Sequence, residues 1–290
     1  MRIQWLAAGV VGLAVAAGAT VPAQSRVQTK VYTSPPDAIS VTSTLIYGEN
    51  EAILVDPQFL LSEAYKVAAM ILESKRSLIA VYSTHPHPDH YFGLAVMKQA
   101  FPGARLVALP SVVAGIKSGW DARYNFWLPT YGRNLPSTGP VLPEELPGPT
   151  LTLEGNELQL FGGVQGDGPN NSFVWIPSIR TVVAGDIVFS GVHFGVSSGK
   201  SREDWLKTLD QIVALKPAAV IPGHQVAGAN NDLTAIDFMK KYMQDWDKAV
   251  ASSKSADELR AQMKAAYPTL GMENLMSNSA TAAFAPARGR

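Results

Sequence analysis

Short apolar runs alternate with amphipathic stretches along the first half of the chain. Ser40–Tyr47 and Glu51–Asp56 read as two strands joined by a tight turn, and Ser62–Ser74 has the spacing of a helix. Leu78–Ser83 (LIAVYS) is a short apolar run typical of a buried strand, and Tyr91–Ala100 reads as a helix that follows it. Strands that alternate with helices in this way predict an α/β fold.

A stretch without a clean period separates the two halves. Arg105–Leu109 reads as a strand and Ser111–Trp120 as a helix, but residues 120–149 are rich in aromatic residues, proline and glycine, which predicts a long loop. The aromatic side chains of this loop either form a wall of a binding cleft or only pack on the surface of the domain. The candidates for substrate contacts are Tyr124, Phe126, Trp127 and Tyr131.

The second half repeats the order of strands followed by helices. Its apolar runs predict four strands and one amphipathic helix, and these are Leu151–Phe161, Ser172–Ile176, Thr181–Ala184, the helix Glu203–Leu215 and the strand Ala218–Ile221. From about residue 230 to 290 the apolar positions recur at helical spacing. This pattern predicts extra C-terminal helices that pack on the core.

The first 23 residues have the pattern of a signal peptide. Arg2 precedes an apolar run that is too short to span a bilayer comfortably, and residues 21–23 supply the small side chains of a signal-peptidase site. A retained membrane anchor is the alternative, which the shortness of the run disfavours. We therefore expect a periplasmic or secreted protein with a single domain over residues 24–290 and no stable membrane association after cleavage.

Charge and cysteine content limit the partners and ligands that the chain can use. It has 24 basic and 24 acidic residues, so its net charge gives no reason to expect nucleic acid or an anionic membrane as a partner. A small-molecule substrate is the simpler expectation, and composition does not determine the oligomeric state. Because there is no cysteine, a metal site would consist of His, Asp and Glu side chains.

The segment STHPHPDHYFG, at 83–93, contains the densest cluster of such side chains. His85, His87, Asp89 and His90 fall within six positions, directly after a predicted strand. His85 and His87 alternate around one proline and can converge on one ion, whereas Asp89 and His90 turn toward a neighbouring point. Ordinary loop histidines rarely cluster so closely, so we interpret this segment as a metal-binding loop.

Three further candidate ligands each follow an apolar run. Asp167 lies in VQGDGPNNS, Asp186 ends TVVAGD and His224 ends AAVIPGH. Each of them alone could be a turn, cap or structural residue. Because the order of strand, glycine and ligand recurs three times, we interpret them together as metal ligands at the edge of the sheets. His193, in GVHFG, either faces the same site as a substrate contact or is a structural residue.

HPHPDH, AGD at 184–186 and PGH at 222–224 resemble the motifs of the metallo-β-lactamase-fold superfamily. The resemblance implies an αβ/βα four-layer sandwich, with two sheets face to face, helices outside and two metal ions at one edge of the sheets. It also implies a ligand set in which Asp186 bridges the two ions, His85 and His87 bind the first ion, and Asp89, His90 and His224 bind the second.

The chain departs from the family pattern at one ligand. The family usually has a histidine as the third ligand of the first metal, in a stretch like GHTPGS, whereas this chain has Asp167 in GDGPNNS. A carboxylate oxygen is a harder ligand atom than an imidazole nitrogen, so manganese and iron are alternatives to zinc at the first site. We expect zinc, with two ions per chain. The other alternative is that Asp167 does not bind metal.

The function implied by the resemblance is metal-dependent hydrolysis. We expect activated water to attack a small ester, lactone, amide or thioester, with Asp89 orienting that water while it binds the second ion. The aspartate at the bridging position resembles the one found in the glyoxalase II and lactonase branches of the superfamily. The fold alone does not identify a substrate. Two other interpretations stay open: an oxidoreductase that uses iron and O₂, and a small-molecule binding protein with weak turnover.

If the signal peptide is cleaved after Ala23, protein recovered from the periplasm begins at Gln24 or within a few residues of it. N-terminal sequencing of the native protein checks this prediction. Membrane-bound protein that still begins with Met1 would contradict it.

Overall fold

Two β-sheets lie face to face in the computed structural model, which describes residues 26–196 and 198–285. The predicted signal peptide lies outside the described residues. Strands follow one another in chain order across the first sheet, antiparallel for the first three and parallel for the rest. They are Gln28–Thr33 (β1), Thr42–Tyr47 (β2), Glu51–Val55 (β3), Ser77–Ser83 (β4), Arg105–Ala108 (β5) and Glu144–Glu145 (β6).

The second sheet has five strands, and a short parallel pair lies beside it. The five strands are Thr150–Leu153 (β7), Asn156–Val164 (β8), Asn171–Ile176 (β9), Thr181–Val183 (β10) and Ala219–Ile221 (β12). Their spatial order is β12, β10, β9, β8, β7. The parallel pair consists of Phe189–Ser190 (β11) and His224–Gln225 (β13). Because β10 and β12 are also parallel, the loops that follow them leave the sheet at the same edge.

Helices cover both outer faces of the sandwich. Those of the first half are Leu61–Ser74 (α1), Leu94–Ala100 (α2) and Pro110–Tyr131 (α3). Those of the second half are Gly199–Ala214 (α4), Thr234–Ser252 (α5), Ala256–Ala266 (α6) and Glu273–Ala283 (α7). Among the residues that the structure describes, none of these helices combines the length and apolarity needed to cross a membrane.

Three hydrophobic clusters occupy the three interfaces between the four layers. Side chains of a strand alternate between its two faces, so Leu45 packs with the first three helices while Ile46 packs between the sheets. A separate cluster around Trp205 joins the second sheet to α4–α7. The layers confirm the predicted α/β sandwich with extra C-terminal helices.

Residues 120–131 are helical, so the long loop predicted from the sequence is wrong over this segment. They continue helix α3, and the aromatic residues recur at helical spacing along one of its faces. Trp127 and Tyr131 contact Phe59, with ring centroids 5.2 and 5.1 Å apart. The glycines of α3 and Pro129 have low helix propensity, but the packing of the aromatic face stabilises the helix.

Two other elements differ in extent from their predictions. The single strand predicted over Leu151–Phe161 is the hairpin of β7 and β8, which reverses at Glu154 and Gly155, both with positive φ. The apolar alternation continues on both sides of this turn, so it conceals the reversal. The helix predicted from Tyr91 begins only at Leu94, because Pro88–His90 forms a 3-10 turn.

Candidate metal centre

Seven histidine and aspartate side chains meet at one edge of the sandwich, in two groups that share one residue. The loop after β4, the β8–β9 loop, the turn after β10 and the start of β13 bring them together. Within each group the candidate ligand atoms lie within 4.8 Å of one another. The first group is His85, His87, Asp167 and Asp186, and the second is Asp89, His90, Asp186 and His224.

The carboxylate of Asp186 lies between the two groups. Its Oδ2 is 3.4 Å from Nε2 of His85, in the first group. Its Oδ1 is 3.0 Å from Nε2 of His90 and 3.3 Å from Nε2 of His224, in the second. One carboxylate that offers a different oxygen to each group has the geometry of a bridging ligand.

Two further pairs of candidate ligand atoms lie at ion-pair distance, slightly closer to each other than the ligands of a tetrahedral ion. Nδ1 of His87 lies 3.0 Å from Oδ2 of Asp167, and Nε2 of His224 lies 3.2 Å from Oδ2 of Asp89. Ligands of a tetrahedral ion with bonds of about 2.0–2.2 Å are themselves about 3.3–3.6 Å apart. Nε2 of His85 and Oδ1 of Asp186 are buried without a hydrogen bond. The residues present therefore fit a divalent metal ion.

Asp56 orients one histidine of each group. Its Oδ2 accepts a hydrogen bond from Nδ1 of His90 at 2.8 Å and another from the hydroxyl of Thr84 at 2.8 Å. Because the Thr84 proton is engaged with Asp56, Oγ1 of Thr84 accepts from Nδ1 of His85, 3.0 Å away. Both imidazoles then carry a proton on Nδ1 and turn a free Nε2 toward the cluster.

A backbone carbonyl orients the last histidine. Nδ1 of His224 donates to the carbonyl of Ile39 at 2.7 Å, which leaves Nε2 for a metal. Neither Asp56 nor Ile39 was predicted as a site residue. The only sequence signal for Asp56 is its position directly after the strand EAILV, the kind of position at which the other candidate aspartates were recognised.

The opposite charges in the cluster shift the protonation of its members. Burial lowers the pKa of His87 and His224, but Asp167 and Asp186 respectively raise it more, so these pKa values become about 9 and about 10. Burial raises the pKa of Asp89, but His90 and His224 bring it well below its usual range. Metal binding near neutral pH must therefore displace protons from these histidines.

Two glycines allow the ligand segments to approach closely. Gly185 has φ of +51°, and a Cβ there would lie 2.6 Å from Oγ1 of Thr84. A Cβ on Gly223 would lie 2.4 Å from Oδ1 of Asp186 and 2.5 Å from the carbonyl carbon of Gly185. The glycines in AGD and PGH are thus required by the contact between the two ligand-bearing turns.

The family model of the metallo-beta-lactamase superfamily matches residues 36–224, which include all seven candidate ligands. The chain belongs to the metallo-beta-lactamase superfamily. No curated protein sequence matches it significantly. The membership confirms the family resemblance and, with the His/Asp cluster, supports a metal-dependent hydrolase in general.

Solved structures with low sequence identity share this superfamily fold. A beta-lactamase domain protein from Burkholderia ambifaria has 16% identity and a TM-score of 0.66, over 89% of this chain and 84% of that one. A metallo-beta-lactamase family protein from Thermus thermophilus has 19% identity and a TM-score of 0.62, over 89% and 91%. The metallo-beta-lactamase from Pontibacter korlensis has 15% identity and a TM-score of 0.54, over 78% of this chain and 98% of that one. Such identities establish the fold and not the activity.

A cavity of about 260 Å³ opens onto the metal centre of this superfamily member. Five candidate ligands line it, namely His87, Asp89, Asp167, Asp186 and His224. The other lining residues are mostly apolar and come from distant parts of the chain: Ile39, Pro88, Arg123, Trp127, Met272, Asn274 and Leu275. Its volume is suited to a small molecule.

Only Trp127 among the predicted aromatic contacts lines this cavity. Tyr124 stacks on Trp120, with ring centroids 5.5 Å apart, and Tyr131 donates from its hydroxyl to the carbonyl of Asp37. Phe126 is largely exposed and touches the edge of Trp127. Trp127 differs from the other three residues because of its position around the axis of α3. Only part of the aromatic face of this helix turns toward the metal centre.

His193 lies outside the cavity and is fully buried. Its Nδ1 is hydrogen-bonded to the Tyr242 hydroxyl at 2.8 Å, and its backbone N–H donates to the carbonyl of Gly271. These bonds fix the segment that leads to Met272, which does line the cavity. The residues Arg123, Met272, Asn274 and Leu275 were missed because no local motif connects them with the ligands.

Gly223→Ala is expected to weaken metal binding by about tenfold or more, because the new methyl group displaces the carboxylate of Asp186. Competition with a chromogenic chelator measures the affinity. Gly148→Ala is the matched control, since its Cβ would meet no atom within 4 Å. Equal affinities for both variants and the wild type would contradict this assignment.

Proposed function

We propose that the protein is an exported hydrolase that uses two divalent metal ions, zinc in the first place, to cleave a small ester, lactone, amide or thioester. The observation that supports this most is the bridging position of Asp186, which offers Oδ2 to one ligand group and Oδ1 to the other. The cavity beside it has room for a small molecule. Neither nucleic acid nor a stable membrane attachment is part of this proposal.

In this proposal each of the two ligand groups binds one metal ion. His85, His87 and Asp167 would hold the first ion, and Asp89, His90 and His224 would hold the second. Bound divalent ions supply Lewis acidity and lower the pKa of water from about 15.7 toward about 7. Asp56 and the carbonyl of Ile39 keep the histidine Nε2 atoms directed at the ions.

Asp89 has a second role as the residue that orients the attacking water. It lines the cavity, and its Oδ2 already contacts Nε2 of His90 at 3.5 Å and of His224 at 3.2 Å. A carboxylate held at this point can accept a hydrogen bond from the water and direct its lone pair toward the carbonyl carbon of the substrate. Trp127 and Leu275 supply apolar side chains to one part of the cavity wall.

Asp167 is the residue that supports a second candidate function, an oxidoreductase, ahead of a binding protein with weak turnover. Its carboxylate oxygen lies 3.0 Å from Nδ1 of His87, so it occupies the place of the third ligand in the first group. A mixture of histidine and carboxylate ligands is also suited to iron. An oxidoreductase that uses iron and O₂ is therefore the second candidate, and a binding protein with weak turnover is the third.

A hydrolysis screen tests the proposed function directly. The wild type, with its metal restored, is expected to hydrolyse at least one member of a panel of 4-nitrophenyl acetate, small lactones, thioesters and nitrocefin, and to lose that activity after chelation. Asp89→Asn is expected to lower kcat by about 10²-fold or more, since the amide cannot hold the water as the carboxylate does. Asp121→Asn, on the exposed face of α3, is the control.

Three results would contradict parts of this proposal. Full hydrolysis after removal of the metal would reject the metal dependence, and unchanged kcat in Asp89→Asn would reject the role of Asp89. O₂ consumption by iron-loaded protein without any hydrolysis would reject the hydrolase. The last of them would favour the oxidoreductase.

Asp167→His is expected to retain two metal ions and to move the acidic limb of the pH–rate profile to lower pH. The reason is electrostatic: removal of one negative charge beside the attacking water lowers the pKa of that water. Asp167→Ala is expected to lose first-site occupancy and turnover together. Elemental analysis and pH–rate profiles measure both effects. Wild-type metal content and an unchanged profile in both variants would show that Asp167 is only a turn residue.

A further inference from the structure

Arg123 lines the cavity on the α3 side of the candidate metal centre. It is the only arginine or lysine among the described residues that line this cavity. Its Nη1 donates to the carbonyl of Gly115 at 3.0 Å, and the guanidinium also lies beside the hydroxyl of Tyr91. Neither partner is a carboxylate, so its positive charge is not neutralised by them. A guanidinium has five N–H donors, so several of them are available to a ligand.

Two glycines of the same helix fix the position of this guanidinium. It folds back over Gly119, where a Cβ would lie 2.3 Å from Nη1 and 2.7 Å from Cζ of Arg123. The carbonyl of Gly115 then holds Nη1 one further turn back. A side chain that is held in one position loses less entropy when it binds a ligand. Gly119 thus gives Arg123 a defined position that any larger residue would prevent.

We propose that Arg123 binds a carboxylate of the substrate, at the end of the molecule away from the bond that is cleaved. The planar fork of a guanidinium matches the two oxygens of a carboxylate. The walls beside it are apolar, with Trp127 one turn further along α3 and Leu275 from α7. This chemistry fits one singly charged group on an otherwise apolar body better than a phosphate dianion, which needs more donors. The proposal rests on the function proposed above and narrows its substrate class to acyl compounds with a free carboxylate.

Binding of an isosteric pair of probes tests the proposal without turnover. The probes are 4-phenylbutyrate and its neutral amide, 4-phenylbutyramide, titrated into metal-loaded and metal-free protein. The wild type is expected to prefer the carboxylate by about tenfold or more in both forms. Arg123→Gln is expected to remove this preference, and Arg133→Gln, at an exposed arginine outside the cavity, is expected to retain it.

Gly119→Ala moves the guanidinium without removing its charge. Alanine is favoured over glycine inside a helix, so the melting temperature is expected to stay the same or rise while the preference for the carboxylate falls. Gly103→Ala, where a Cβ meets no atom within 4 Å, is the control. Loss of the preference at an unchanged melting temperature assigns the effect to the position of Arg123 and not to unfolding.

Two outcomes would overturn the proposal. One is a wild type that binds the acid and the amide equally. The other is a preference that survives in Arg123→Gln but disappears when the metal is removed, which would mean that the carboxylate binds the metal ions. Because neither probe has to be hydrolysed, these results are independent of the hydrolysis screen. A protein with no hydrolase activity can still pass this test, and an active hydrolase can fail it.

Discussion

The buried carboxylate of Asp186 is the constraint on which the whole site depends. A negative charge removed from water needs compensation from every side, and Asp186 obtains it from His85 on one side and from His90 and His224 on the other. His85 and His90 follow β4 of the first sheet, and His224 follows β12 of the second. The parallel pairing of β10 with β12 brings the turns that carry Asp186 and His224 to the same edge, and Gly185 and Gly223 allow these turns to approach closely. The loops that carry the candidate ligands therefore meet at one edge of the sandwich, in an arrangement that fits a divalent cation.

The part of the site that the sequence predicts is the part encoded in local motifs. HPHPDH places four candidate ligands in one loop, and Asp167, Asp186 and His224 each follow a strand, so their meeting at the sheet edge was predictable. Asp56 was missed because the role of a residue that orients ligands depends on a contact across 34 positions, with His90. The aromatic segment was predicted as a loop because glycine and proline lower helix propensity, whereas the packing of Trp127 and Tyr131 on Phe59 decides its structure. Strand β1 was not predicted either, since its ladder with β2 is a long-range pairing.

The cavity beside the candidate ligands is completed by residues that lie outside the ligand motifs. The family match ends at residue 224, yet the cavity is completed by Met272, Asn274 and Leu275 from the C-terminal helices. The bridge between Val192 and Gly271 and the hydrogen bond from His193 hold this segment against the chain that follows β11. On the opposite side Arg123 and Trp127 come from α3. The sandwich thus positions the candidate metal centre, while residues of α3 and of the segment around the start of α7 form the walls of the cavity beside it.

A crystal structure of the metal-loaded protein, with anomalous scattering measured at the absorption edge of the bound metal, tests the central claim most directly. We expect two peaks about 3.5–4 Å apart, one beside His85, His87 and Asp167 and the other beside Asp89, His90 and His224, with Asp186 between them. A single peak, or two peaks without Asp186 in contact with both, would contradict it.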